Sequence, residues 1–360
     1  MFFSGQMSNR RRQGSRQVTT VLPPVAALEL TYRCNHACRF CSCPWFAGML
    51  KPRPEMSVDE WKRLVDEFAA NGVRQFSFTG GEALMKEGCL DLVDFASKRA
   101  LVNLLSNGRI VTDDVLRFCA ERGIRLSVSM PGLKSFAENT DSDTPVEHIL
   151  GVFVRARELG CGTTVGVAVT KLNLPELYET ISAALVAGAD SLLLNRFLPG
   201  GRGLSHSELM LTAEEVREVA DIAEEVLSRA KRYGHFGTEL PECLIDAEKY
   251  KFLQVSTGCS AATEFFTVGP NGMIRACNHS PVEILRWNEW ERLPESEEWM
   301  HFIRHDYLPE MCTDCARAAK CMGGCREAAR VFLGSPSAPD PLLANGSILR
   351  PYLTNALRLL

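Results

Sequence analysis

Between residues 25 and 233 the chain alternates short β-rich runs with helical patterns, and such alternation folds as a parallel sheet covered by helices. Six runs carry the pattern, at 26–30, 74–79, 102–106, 125–130, 163–170 and 191–197. Ser57 with Glu60, and Thr212 with Glu215, have the capping-box spacing that satisfies free amides at a helix start. Six βα units make a partial (βα)6 TIM-like barrel; a full barrel needs eight, and the alternation stops after the long helical pattern that follows Thr212.

The remainder reads differently. Residues 241–334 are cysteine-rich and turn-rich, and Pro270-Asn271-Gly272 separates two β-prone runs, a strong hairpin signal. The expected organisation is therefore a flexible segment over 1–24, the barrel over 25–240, a small cysteine-rich domain with a β-hairpin over 241–334, and a tail over 335–360. The fold class is α/β.

Cysteine placement carries the chemistry. Fourteen cysteines in 360 residues fall short of the roughly 8–10% typical of a disulfide-built secreted scaffold, and no secretory signal follows Arg10, Arg11 and Arg12. In a reducing compartment, clustered thiols bind metal or do redox chemistry. The first cluster, Cys34-x3-Cys38-x2-Cys41, directly follows the first strand. Active sites of parallel barrels lie at that end of the strands. Three thiolates on one loop can hold three irons of a [4Fe–4S] cube and leave the fourth iron open. The competing reading is a zinc loop, although zinc sites favour paired C-x2-C knuckles and four closed ligands.

On these residues the chain resembles the radical S-adenosylmethionine (SAM) enzymes. The resemblance implies that the open iron binds SAM and that one electron from the cluster cleaves it to a 5′-deoxyadenosyl radical, which takes a hydrogen from substrate. It makes Cys34, Cys38 and Cys41 the catalytic cluster ligands. Gly80-Gly81-Glu82 after the second strand resembles the family's GGEP motif, which holds the SAM amino group, with Ala83 where the family has Pro. The further implied SAM contacts are Phe40, Ser106, Asn107, Ser129 and Leu198. Pro131 stands where the family has Asp. Ser106 and Asn107 also suit ordinary turns, and Arg196 or Arg202 is a candidate for holding a substrate carboxylate.

The second cluster, Cys259-x12-Gly272-x4-Cys277 followed by Cys312-x2-Cys315-x5-Cys321-x3-Cys325, resembles the SPASM extension, which implies one or two auxiliary [4Fe–4S] clusters. The resemblance assigns Cys259, Cys277 and Cys325 to a nearer cluster, with Cys243 as candidate fourth ligand, and Cys312, Cys315 and Cys321 to an outer one. No cysteine follows Cys325, so the outer cluster takes Asp314, Glu327 or Asp340 as a further ligand, keeps an open iron, or is degraded or absent. A four-cysteine zinc ribbon is the alternative over 312–325. Cys43 reads as a plain loop residue, with a spare ligand or a cavity-lining thiol as alternatives, Cys89, Cys119 and Cys161 read as buried thiols, and His36 receives no role.

Forty basic against 44 acidic residues give a net charge of -4, which argues against nucleic acid as a main partner. No apolar stretch is long enough for a membrane helix, and the expected location is the cytoplasm. The resemblance implies peptide maturation by cross-linking, oxidation or epimerisation, with oxidation or epimerisation of a small molecule such as an aminosugar as the alternative. It also implies a low-potential electron donor such as flavodoxin or ferredoxin. Because the 24 residues before the first strand are too few for a leader-binding domain, a stand-alone recognition protein or a leaderless mode is expected for a peptide substrate.

Overall fold

The computed structural model describes residues 22–343 apart from 49 and 52. The expected loose ends at 1–21 and 344–360 lie outside the described residues. Ten strands follow in chain order: β1 Val25–Glu29, β2 Gln75–Thr79, β3 Leu101–Ser106, β4 Arg125–Ser129, β5 Thr163–Val169, β6 Ser191–Arg196, β7 Tyr233–Phe236, β8 Leu253–Val255, β9 Phe265–Val268 and β10 Ile274–Arg275. They form one open sheet in the order β10-β9-β1-β2-β3-β4-β5-β6-β7-β8. All neighbours are parallel except the β9–β10 hairpin. The helices are α1 Val58–Ala70, α2 Cys89–Ser97, α3 Asp113–Glu121, α4 Phe136–Thr140, α5 Val146–Glu158, α6 Leu177–Ala187, α7 Ala213–Ala230, α8 Glu297–Arg304, α9 Ala318–Cys321 and α10 Arg326–Leu333. Among the described residues no helix is long and apolar enough to cross a membrane.

The six expected strands appear as β1 to β6, and both expected capping boxes are formed, at α1 by Ser57 with Glu60 and at α7 by Thr212 with Glu215. α1 shows why its sequence is helical. Trp61, Leu64, Val65 and Phe68 recur at helical spacing and are buried on one face against the sheet. The strands alternate: Phe76 and Phe78 of β2 point into the helix-covered core, while Ser77 and Thr79 face the other way.

The sheet continues past β6, where the sequence reading has the alternation stop. β7 and β8 extend one edge, and on the other edge β9 lies parallel to β1, pairing Val25 with Phe265. The expected boundary near 240 thus falls within a continuous sheet and one hydrophobic core. The hairpin forms where expected. Gly272 takes φ 82°, Gly269 donates to Met273 O at 2.9 Å, and Asn271 Oδ1 accepts from Met273 N at 3.1 Å. Arg275 of β10 forms a buried ion pair with Glu29 at the end of β1, which fixes the hairpin to the barrel.

The ends of the described chain are also tied down. Leu22 is buried and donates its amide to Asn71 O at 3.0 Å. Asp340, in the expected tail, is fully buried against Arg196.

Candidate active site

The loop after β1 carries the first three cysteines and is held from several sides. Ala37 N donates to Thr140 O at 3.2 Å and Arg39 N to Asn139 O at 3.0 Å, both at α4. Gly81 N donates to Thr31 O and Glu82 N to Arg33 O, each at 2.8 Å. A Cβ at Gly81 would lie 2.1 Å from Arg33 O, so only glycine admits this approach. The close approach is therefore to the cysteine loop's own backbone. Glu82 is 1% exposed, and its carboxylate accepts from Asn107 N at 2.7 Å and Leu84 N at 3.2 Å. Burial pushes its pKa up against the pull of those amides. Asn107 Nδ2 in turn donates to Asn35 Oδ1 at 2.6 Å. The β2 and β3 loops thus form a scaffold under Cys34.

Above the strand ends lies a cavity of about 500 Å3. Cys34, Cys38 and Cys41 line it, as do Phe40, Gly80, Gly81, Glu82, Ser106, Asn107, Ser129 and Leu198. The same cavity is lined by Cys259, Cys277 and Cys325 from the cysteine-rich segment. The first-loop set and the inner half of the second cluster therefore share one chamber, of a size ordinary for a small-molecule cofactor.

The electrostatics suit soft metal ligation. Burial pushes the Cys34 and Cys38 thiols up, so as bare thiolates they would be unstable there. A hydrogen bond from the Cys43 thiol lowers Cys41 to about 7. The Arg202 guanidinium favours the thiolate form at all three positions and stacks over Phe46 at 3.6 Å. Three half-buried sulfur donors beside one cation fit a cluster of several irons.

Residues 28–184 match the Radical SAM superfamily. This chain carries a radical SAM domain. PqqA peptide cyclase of Bradyrhizobium diazoefficiens is 26% identical over 349 residues, covering 92% of this chain and 89% of that protein. The enzyme of the same name from Ruegeria pomeroyi is 28% identical over 346 residues, covering 91% and 89%. Among solved structures, SuiB of Streptococcus suis bound to precursor peptide SuiA superposes with a TM-score of 0.70 at 16% identity, over 89% of this chain and 75% of that one. anSMEcpe with bound AdoMet and Cp18Cys peptide gives 0.68 at 16% identity, over 94% and 100%. At that identity the likeness to the two structures is one of fold. The radical SAM match ends within α6, while the similarity to the peptide cyclases continues through most of the cysteine-rich segment.

Around the radical SAM domain the structure redistributes several expected roles. Arg196 is 4% exposed and forms a two-pronged ion pair with Asp340, Nη1–Oδ1 3.0 Å and Nη2–Oδ2 2.6 Å. It is therefore committed to the fold and unavailable to a substrate carboxylate. Asp340 also accepts from Cys325 N at 2.9 Å and Leu342 N at 3.0 Å, which removes it as an outer metal ligand. Leu198 packs with Cys325 and Ala328 at the cavity wall. Glu327, another outer candidate, belongs to the cavity, where it neighbours Cys277. It is 2% exposed, its carboxylate oxygens make no hydrogen bond, and burial pushes it up to about 7.

Cys243 also moves. It does not line the chamber with Cys259, Cys277 and Cys325; its neighbours are Cys321, Cys312 and Cys315. Cys119 and Cys161 are buried near each other, and Cys89 is buried on α2. His36 is buried, donates to or accepts from Thr144 Oγ1 at 3.1 Å, and is held neutral by burial at a pKa of about 4. Sequence reasoning passed over Glu239 and His279, which line the cavity beside the inner cysteines. The Cys277-Asn278-His279 run was the available signal for His279.

Proposed function

We propose that this chain is a radical SAM enzyme that modifies a ribosomally made peptide, by cross-linking or another oxidation. Similarity to PqqA peptide cyclases over about nine-tenths of both chains carries the reading, because it includes the cysteine-rich segment as well as the barrel. The cysteines fit iron–sulfur clusters by donor chemistry and burial. Cys34, Cys38 and Cys41 would hold the SAM-binding cluster, and Cys259, Cys277 and Cys325 an auxiliary one of SPASM type. Bound there, the clusters supply a low-potential electron for SAM cleavage and a sink for an electron leaving the oxidised substrate.

The protein's own residues position and shield. Glu82 holds the Asn107 amide, which fixes the polar rim at the end of β3. Phe40, Ser129 and Leu198 shape the remaining wall for SAM, and Arg202 supplies positive charge beside the first cysteines. The inner cysteines complete the chamber wall beside the strand ends, which would limit the access of water and oxygen to a radical. A flavodoxin or ferredoxin would deliver the electron, and a separate recognition protein would present the peptide's leader.

The test uses anaerobically reconstituted, reduced protein incubated with SAM and size-separated extract from the producing cells. Stimulation of 5′-deoxyadenosine release by the peptide fraction, with loss of two hydrogens from one peptide, is the expected result; stimulation by the small-metabolite fraction alone would overturn the peptide assignment. Replacing Cys34, Cys38 and Cys41 together by Ala abolishes 5′-deoxyadenosine formation while auxiliary iron remains. Retained cleavage would overturn the site assignment.

A further inference from the structure

Cys312, Cys315 and Cys321 supply three thiols, and the chain has no cysteine beyond Cys325 to make a fourth. The structure brings another strand connection to that loop. Glu242, in the connection after β7, donates its amide to Cys321 Sγ at 3.3 Å. Its carbonyl accepts from Arg317 Nη1 at 3.0 Å, and its carboxylate pairs with Lys320 Nζ at 2.7 Å. Three contacts thus latch residue 242 onto the 312–321 loop, and the next side chain is Cys243. That contact brings Cys243 to the group formed by Cys321, Cys312 and Cys315.

We propose that Cys243 closes the outer site, so that Cys243, Cys312, Cys315 and Cys321 form a four-thiolate set binding an iron–sulfur cluster, with the β7–β8 connection replacing a downstream cysteine. Two of the other candidates are committed elsewhere: Asp340 is saturated by Arg196 and two backbone amides, and Glu327 lines the cavity with the inner cysteines; Asp314 is left as the competitor that the experiment separates. Four-cysteine ligation is the ordinary closed set for a [4Fe–4S] cube. Cys243 and Cys315 are exposed, which places this site at the surface, where a one-electron partner can reach it. The inner cysteines instead face the chamber. The proposal rests on the cluster-binding reading of the cysteine-rich segment, and not on the identity of the substrate.

The experiment measures iron, sulfide and zinc per chain, with electron paramagnetic resonance of the reduced clusters, on full-length protein reconstituted anaerobically. With three cubes the wild type holds about twelve irons. Cys243→Ala and Cys243→Ser are each expected to lower this to about eight, while Asp314→Ala leaves it unchanged. Non-additivity locates the residue. Added to Cys312→Ala/Cys315→Ala, Cys243→Ala removes no further iron; added to Cys259→Ala/Cys277→Ala, it removes a second cluster's worth. Wild-type iron in Cys243→Ala, the opposite additivity, or zinc in place of iron would overturn the proposal. The remaining irons, about eight, with an unchanged far-ultraviolet circular dichroism spectrum of Cys243→Ala, serve as the folding control. Failure to modify any peptide would leave these iron readings untouched.

Discussion

Gly81→Ala tests the idea that the β2 loop works by supporting the cysteine loop. The added Cβ would lie 2.1 Å from Arg33 O, 2.6 Å from Arg33 C and 3.0 Å from Tyr32 O, all backbone atoms. Comfortable contacts need about 3.5 Å, so the two backbones must part by roughly 1.4 Å. That displacement takes the Gly81 N–Thr31 O and Glu82 N–Arg33 O bonds, now 2.8 Å, past useful hydrogen-bonding distance. Each is worth about 0.5–1.5 kcal/mol net, so the loop's native position loses about 1–3 kcal/mol. At about 1.4 kcal/mol per tenfold, its population relative to displaced states falls roughly 5- to 150-fold.

Because Cys34 immediately follows Arg33, the loss appears first in the SAM-binding cluster. The assay is iron content and 5′-deoxyadenosine release of anaerobically prepared Gly81→Ala. The control is Gly151→Ala, where nothing lies within 4 Å of the new Cβ inside α5. There Ala is expected to stabilise by about 0.5–1 kcal/mol, as in any exposed helix interior. Gly81→Ala with wild-type iron and wild-type SAM cleavage would refute the reasoning, since no flexible side chain is available to absorb the clash.

Ala83→Pro restores the residue found at this point in related motifs, and the structure accommodates it. Ala83 opens the short turn Ala83–Met85, where a missing amide costs nothing, and Glu82 before it is extended at φ -126°, ψ 114°. The variant is expected to melt slightly higher, by about 0.4–1 kcal/mol of unfolded-state restriction, with SAM cleavage unchanged; a lower melting temperature would show that the buried ring does not fit. Asp340→Ala strands the buried Arg196 guanidinium and two amides, a loss of about 3–5 kcal/mol visible as a large fall in melting temperature and faster proteolysis near residue 340. Replacing both partners, Arg196→Met with Asp340→Leu, recovers most of that loss; if the single and double variants melt alike, the ion pair is not what holds the segment.

The barrel was readable because each βα unit announces itself locally. Ser57 with Glu60 caps α1, and Phe76 and Phe78 alternate along β2, within windows of a few residues. β7 and β8 escaped because four and three residues are too few to display a period. The docking of β9 on β1 escaped for another reason: Val25 and Phe265 pair across nearly the whole described chain, and no local pattern encodes such a partner. Of the candidate site, the cavity-lining residues were legible because their motifs sit at successive strand ends. Arg196 was not, since nothing in an arginine followed by an aromatic and a glycine-rich run reveals that Asp340 will bury it.

Cys243 shows the same limit most clearly, and it decides how the cysteine-rich segment is understood. By sequence it is 16 positions from Cys259 and 69 from Cys312, so proximity along the chain favours the inner group. In space the order reverses. β8 carries the chain away along the sheet edge before it returns to Cys259 at the cavity, whereas Glu242 remains hydrogen-bonded to Cys321. Counting motif spacings leaves the outer group one ligand short and the inner group complete. The folded chain exchanges those conclusions, because it leaves three inner thiols around a cavity that also holds the Glu327 carboxylate, and gathers Cys243 with an outer group in which Cys243 and Cys315 are exposed and Cys321 is buried. On the proposed assignment, a chamber-facing site with a free position and a closed outer site would divide the work of contacting substrate and of passing an electron outward.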